Sequence, residues 1–329
     1  MTRLGLLGCG RIGQVHARSI GQLDGANVTA VADAFSAPAE ALARRTGALV
    51  LEPMELIEST DVDAIVIGTP TDTHYDLIHA AAQAGKAIFC EKPIDLNVER
   101  VKACLQTVAT NGTALMVGFN RRFDPSFAAL KAEIEAGTIG DVEQVVITSR
   151  DPGLPPYDYI PVSGGIFRDM TIHDFDMARF LLGEEVETVM ATGSCLVDPK
   201  VKEFGDFDTA AAILTTASGK QAIINNSRRA TYGYDQRVEV HGSKGSVSAQ
   251  NERPVNIEVA TSAGYTAPPL HDFFMTRYVA AYAAEIAEFV EVVKVNKIPS
   301  PSGTDGLAAL AIAEAAETSV STGTSVRTK

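Results

Sequence analysis

The chain has 329 residues, 46% hydrophobic and 21% charged, with a formal net charge of −13 and a pI near 4.9. That is enough apolar material for one large or two ordinary domains, and it excludes a disordered chain. An acidic balance without a clustered basic face argues against nucleic acid or an anionic membrane as the main partner, so the expectation is small-molecule chemistry in a soluble, cytoplasmic protein.

Cys9, Cys90, Cys104 and Cys195 show no CxxC spacing, which predicts reduced thiols in a reducing compartment. The N-terminus runs straight into a short apolar strand and no stretch reaches 18 consecutive apolar residues, so neither a signal peptide nor a membrane span is expected. His16, His74, His79, His173, His241 and His271 have no ligand spacing, and no metal site is expected.

In chain order, residues 4–7 form a short apolar run that leads at once into Gly8-Cys9-Gly10-Arg11-Ile12-Gly13, followed by helix-compatible sequence to about residue 23. Strand, glycine turn and helix in this order give GxGxxG its meaning. Gly8 permits the tight turn, Gly10 lets the backbone approach a pyrophosphate, and Gly13 allows close helix–strand packing, with the helix N-terminus facing the phosphates. A β-branched strand over 28–33 ends in Asp33, placed to bind a ribose 2′-hydroxyl and to repel a 2′-phosphate. Ala34, Phe35 and Ser36 follow with no cation, so NAD is predicted in preference to NADP.

The alternation continues. Helices are predicted over 37–46, 54–59, 73–84 and 97–110, and strands over 63–68, 87–90 and 114–117. This predicts a doubly wound parallel sheet of the Rossmann type over residues 1–120, with ligand chemistry at the carboxyl ends of its strands. Those ends carry Thr69-Pro70-Thr71-Asp72-Thr73-His74, Glu91-Lys92-Pro93 and Gly118-Phe119-Asn120-Arg121-Arg122. Lys92 follows a buried strand and precedes a proline, where it could donate to a substrate hydroxyl.

From residue 121 onward the pattern changes. A helix over 123–136 precedes strands over 141–149, 188–195, 209–215, 221–226, 236–241 and 246–249, with a helix at about 167–182 between the first two. This predicts an α+β domain over residues 121–329 with a large, mainly antiparallel sheet. Residues 278–294 form an amphipathic helix with Tyr278, Tyr282, Ile286, Phe289 and Val293 on one stripe, and 303–318 an Ala-rich one. A sheet covered by helices on one face needs a cover on the other, so a homo-oligomer is expected.

The stretch 164–176 reads Gly-Gly-Ile-Phe-Arg-Asp-Met-Thr-Ile-His-Asp-Phe-Asp. On a helix, Asp169 and His173 lie about one turn apart on one face, and a carboxylate there can orient an imidazole acting as a general base. The preceding loop, Asp151–Pro161 with its four prolines, has the stiffness of a pocket wall.

Together the 8–13 loop, the 69–74 loop, Glu91-Lys92-Pro93 and Asp169 with His173 resemble the glucose–fructose oxidoreductase/inositol dehydrogenase family over essentially the whole chain. Residues 118–124, 149–152 and 163–176 are similar to its myo-inositol 2-dehydrogenases; Asn120 stands where those enzymes often carry Met. The resemblance implies a cytoplasmic NAD-dependent dehydrogenase, a homotetramer or dimer acting in inositol catabolism, that oxidises myo-inositol to 2-keto-myo-inositol. It implies that His173 takes the hydroxyl proton as hydride leaves for the nicotinamide, that Asp169 orients His173, and that Lys92 holds the hydroxyl oxygen. Cofactor contacts are then expected from Gly8, Gly10, Arg11, Ile12, Gly13, Asp33, Thr69, Pro70, Thr71, His74, Glu91 and Lys92. Polyol contacts are expected from Asn120, Arg121, Asp151, Tyr157, Asp169, His173 and Tyr232 or Tyr234. A scyllo-inositol or aldose 1-dehydrogenase is the alternative within the family. A non-catalytic NAD-binding regulator is the alternative outside it, but such a protein has no need of Lys92, Asp169 and His173 together.

Overall fold

The computed structural model describes residues 1–328, and its contacts divide the chain into two units. The first comprises Met1–Phe123 and Val279–Leu310; the second comprises Asp124–Tyr278 and the chain from Ala311 onward.

In the first unit, β1 (Thr2–Leu7), α1 (Arg11–Gly21), β2 (Ala26–Ala32), α2 (Ser36–Thr46), β3 (Leu49–Val50), α3 (Pro53–Glu58), β4 (Ala64–Ile67), α4 (His74–Gln83), β5 (Ala87–Glu91), α5 (Val98–Asn111) and β6 (Leu115–Gly118) follow one another. All the strand pairs are parallel, in the order β3-β2-β1-β4-β5-β6. Every residue of β4 and β6 is buried, as expected where helices cover both faces. The order reverses at β1/β4, the switch point at which such sheets bind ligands. Of these elements only β3 lies outside the predicted set. Its two residues are exposed and too few to show a period.

In the second unit, α6 (Pro125–Glu135) is followed by β7 (Val142–Arg150), α7 (Ile160–Ser163), α8 (Ile172–Leu182), β8 (Val186–Ser194), β9 (Thr209–Thr216), β10 (Gln221–Ser227), β11 (Asp235–Gly242) and β12 (Gly245–Ala249). The small hairpin β13 (Val259–Thr261) and β14 (Gly264–Thr266) and the short helix α9 (Phe274–Arg277) come next. Two long helices, α10 (Val279–Val295) and α11 (Gly303–Thr322), and β15 (Val326–Arg327) end the chain. The large sheet runs β12-β11-β7-β10-β9-β8-β15 and is antiparallel except for β7 with β10. Burial alternates along β9, β10 and β11, one face being packed by α8 and the other open.

Helix α10 belongs to the first unit, not with the strands that precede it. Its Ile286, Phe289 and Val290 join Leu4, Leu6, Val28, Val31, Val66, Phe89 and Met116 in one buried cluster. Burying each such side chain contributes roughly 1.5–3 kcal/mol. The cysteines are free. Burial pushes the Cys9 and Cys104 thiols up to about 12, Asp33 and Asp95 adding to it, so both stay protonated and unreactive.

Candidate active site

At the switch point of the first unit, Gly8 has φ +92°, and a β-carbon on it would lie 2.5 Å from the Gly68 carbonyl oxygen. A β-carbon on Gly13 would lie 2.0 Å from the Gly8 carbonyl oxygen, so helix and strand close only over a glycine. Gly10 is different. Its φ of −70° suits any residue, and a β-carbon there would meet nothing within 4 Å. The chain's own packing does not demand glycine at position 10, and the open space above it leaves room for a group to approach the backbone. The first turn of α1 has neither a side-chain cap nor an acid, leaving its N–H groups and the positive helix end to an anion such as a pyrophosphate.

Asp33, just past β2, accepts from Cys9 N at 2.6 Å and Phe35 N at 2.9 Å. One carboxylate thus ties the glycine loop to the second strand and keeps acceptor capacity outward. Arg11 is exposed, and the Ile12 side chain packs over Gly68.

The next two loops are tied together. Thr73 Oγ1 donates to the Pro70 carbonyl at 2.7 Å and bonds Thr69 Oγ1, shaping the short 3-10 turn Thr71–Thr73. His74 is turned inward, 1% exposed, its Nδ1 2.8 Å from the Pro93 carbonyl and its Nε2 3.0 Å from that of Thr69. Only a doubly protonated ring could donate to both at once. Burial pushes the His74 pKa down against those carbonyls, so a neutral ring donates to one and rests against the other. Glu91 is also buried, with Oε1 2.7 Å from His16 Nε2. Between these anchors lies Lys92, half-buried, its bond to Pro93 cis. Asn120 and Arg121 are buried on the 3-10 turn Asn120–Phe123. Arg122 pairs with Asp305 at 3.0 Å, whereas Asn120 Nδ2 makes no hydrogen bond. A buried donor left so costs about 1–3 kcal/mol, which a ligand oxygen would relieve.

In the second unit, Gly164 and Gly165 both have positive φ (82° and 81°), and Asp206 Oδ1 accepts from Ile166 N at 2.8 Å to fix the entry to the helix. The helix predicted at about 167–182 is present, but Phe167–Thr171 is a π turn preceding α8. Such wide turns are frequent at functional sites. This one carries Asp169, and His173 follows on the first turn of α8. Asp169 Oδ1 accepts from the Tyr159 hydroxyl at 3.0 Å and Oδ2 from Arg228 Nη2 at 2.9 Å. Arg228 is 4% exposed and lies 3.6 Å from Asp151 Oδ2. Burial opposes its charge, but Asp169, Asp151 and Asp206 outweigh it and raise its pKa, so the guanidinium stays cationic. The helix is seated by Asn226, which donates to Asp174 Oδ2 at 2.7 Å and accepts from Thr171 Oγ1 at 2.8 Å.

Among the described residues no cluster of His, Cys, Asp and Glu could hold a metal ion, and no helix is long and apolar enough to cross a membrane.

Residues 2–119 match the model of the oxidoreductase family with an NAD-binding Rossmann fold, and residues 127–248 match that of the GFO/IDH/MocA C-terminal domain. An inositol 2-dehydrogenase from Rhizobium meliloti (strain 1021) is 64% identical over 87% of this chain and 86% of its own. The chain belongs to the GFO/IDH/MocA family. The crystal structure of a myo-inositol dehydrogenase from Corynebacterium glutamicum, 44% identical, superposes with a TM-score of 0.96 over 100% of this chain and 99% of that one. A scyllo-inositol dehydrogenase from Lactobacillus casei with bound NAD(H) and scyllo-inositol, 28% identical, gives 0.93 over 100% and 99%.

For this GFO/IDH/MocA oxidoreductase, the structure unites some of the predicted site residues and separates others. Gly8, Gly13 and Asp33 meet at one loop, and Asp151 and Asp169 meet at Arg228. The Tyr157 hydroxyl is instead taken by Asp198 at 2.5 Å, with Lys200 over its ring. The Tyr232 hydroxyl donates to Asp235 at 2.6 Å and accepts from Arg150. Tyr234 is buried, edge-on to Phe273 and Tyr278. Sequence reasoning missed Arg228 and Tyr159. Tyr159 lies two residues beyond the tyrosine it singled out. Arg228 directly follows β10, whose Ser227 is in parallel register with Arg150, the residue before Asp151. That signal exists only once the strand pairing is known.

Proposed function

We propose that this enzyme oxidises a secondary ring hydroxyl of a cyclic polyol with NAD, converting myo-inositol to 2-keto-myo-inositol (scyllo-inosose). The observation that carries the chemistry is the charge-compensated Asp169 on the π turn before His173. Bound nicotinamide supplies the acceptor for the hydride leaving the carbinol carbon. His173 takes the hydroxyl proton, Asp169 orients the imidazole, and Lys92 donates to the hydroxyl oxygen so that its developing negative charge is met. An uncharged ring requires fixed polar partners. Asn120, with its buried amide nitrogen, and Arg121 and Asp151 fit that need; Tyr157, Tyr232 and Tyr234 are better explained by the partners and packing described above. The inositol 2-dehydrogenase at 64% identity supports myo-inositol; the scyllo-inositol complex at 28% supports the alternative isomer.

A polyol panel decides between them. NADH formation is expected to be fastest with myo-inositol, and a preference for scyllo-inositol or an aldose would overturn the substrate. In the same assay Asp33→Ser combined with Ala34→Arg is expected to move the NADP/NAD ratio of kcat/KM at least about tenfold toward NADP. An unmoved ratio would remove Asp33 from ribose recognition.

A homo-oligomer, tetramer or dimer, fits the open sheet face, where Met190 and Ile213 are 43% and 48% exposed on paired strands, and light scattering measures it. Four free cysteines support a cytoplasmic setting in inositol catabolism, which cell fractionation would test.

A further inference from the structure

Glu285 lies on α10 in the first unit, fully buried in the midst of the apolar stripe predicted for that helix, and neither carboxyl oxygen makes a hydrogen bond. Tyr282, one turn earlier, packs edge-on against the His16 ring at 5.8 Å between centroids, and Phe89 does so at 5.1 Å. His16 is itself fully buried; its Nε2 is engaged by Glu91, and its Nδ1 makes no hydrogen bond. Gly118, paired in register with Glu91, makes room for that carboxylate: a β-carbon there would sit 3.0 Å from Oε2. Two buried polar groups lacking partners cost about 1–3 kcal/mol each.

We propose that His16 and Glu285 are positioning residues for Lys92: with Glu91, which His16 bonds and whose charge bears on Glu285, they form a buried polar cluster that fixes the residue preceding Lys92. This rests on Lys92 acting in the reaction. His74 holds the far end of the same turn through the Pro93 carbonyl, so the turn is clamped on both sides of Lys92. Burial, and then the charge of Glu91, raise the Glu285 pKa well above that of an ordinary carboxyl, so Glu285 carries a proton and can donate it. The charged group that bears on it is Glu91 from β5. On the elements packed against α10, Arg122 of the 3-10 turn is paired with Asp305 and Arg3 of β1 with Asp63.

The test uses the full-length enzyme with saturating NAD and polyol. His16→Phe keeps a ring without nitrogens, and Glu285→Leu keeps bulk without a carboxyl. Each is expected to lower kcat about tenfold, with KM for NAD changing less than about threefold, while His16→Gln and Glu285→Gln recover most of the loss. If Lys92→Ala abolishes turnover but His16→Phe and Glu285→Leu keep wild-type kcat, the inference fails alone. If Lys92→Ala turns over normally, the role of Lys92 fails. Should Glu285→Leu not fold, thermal unfolding of Glu285→Gln decides. A carboxyl protonated when folded and ionised when unfolded stabilises most below its unfolded pKa, about 4.3, and loses that stability as pH rises toward its folded value. The wild type should therefore lose more Tm between pH 5 and 8 than Glu285→Gln. Equal slopes would overturn the protonated Glu285 on which the cluster rests.

Discussion

Replacing His173 with alanine is expected to lower turnover by at least about a hundredfold while leaving NAD affinity nearly intact. The loss should appear in kcat, because on the proposed reading the nucleotide is held by the glycine loop, α1 and Asp33, none of which includes His173. The wild-type rate should rise with pH as the general base gives up its proton, and the variant should lose that limb. Stopped-flow NADH formation and NAD titration read the two effects separately. Unchanged turnover, or a flat wild-type profile from pH 6 to 10, would remove His173 as the base.

Arg228 should be highly sensitive to substitution although it takes no part in proton transfer and is not proposed to touch substrate. Arg228→Met leaves Asp169 and Asp151 facing each other in a largely buried site without their cation. Breaking a buried ion pair from one side costs about 3–5 kcal/mol. Their mutual repulsion would also raise the proton affinity of Asp169. The variant is expected to lose several degrees in Tm and about a hundredfold in kcat, with the acid limb of its pH–rate profile moved upward. Arg228→Lys should recover stability better than rate, since ammonium keeps the charge but not the planar fork that reaches both carboxylates. A variant with wild-type kcat and an unmoved pH profile would leave Arg228 a structural ion-pair partner only.

Both predictions show which features could be read in advance. The buried strand runs of the first unit and the alternating strands of the second announce themselves through local periodicity. The steric demands of Gly8 and Gly13 belong to a single turn, so they too follow from a few consecutive residues. Asp33, Lys92, Asp169 and His173 stand out because each lies at a strand end or one helical turn from a partner. What could not be read involves residues far apart in the chain. Arg228 meets Asp169 only because β10 lies parallel to β7. Tyr159 is chosen over Tyr157 by the path of a proline-rich loop. The cis bond at Pro93 is set by surroundings the sequence does not display.

Helix α10 marks the same division. Its apolar stripe is plain in the sequence, since 3.6-residue periodicity is a local property. That the stripe returns to the nucleotide-binding unit, and brings Glu285 into the core, is decided by packing. The amino-acid sequence by itself determined the two kinds of sheet, the glycine loop and the helix that carries His173, because torsional preference and burial period act over a few residues. Only the tertiary structure decided which carboxylates stay charged, which hold a proton and what orients them, because those depend on desolvation and on partners brought together by the fold.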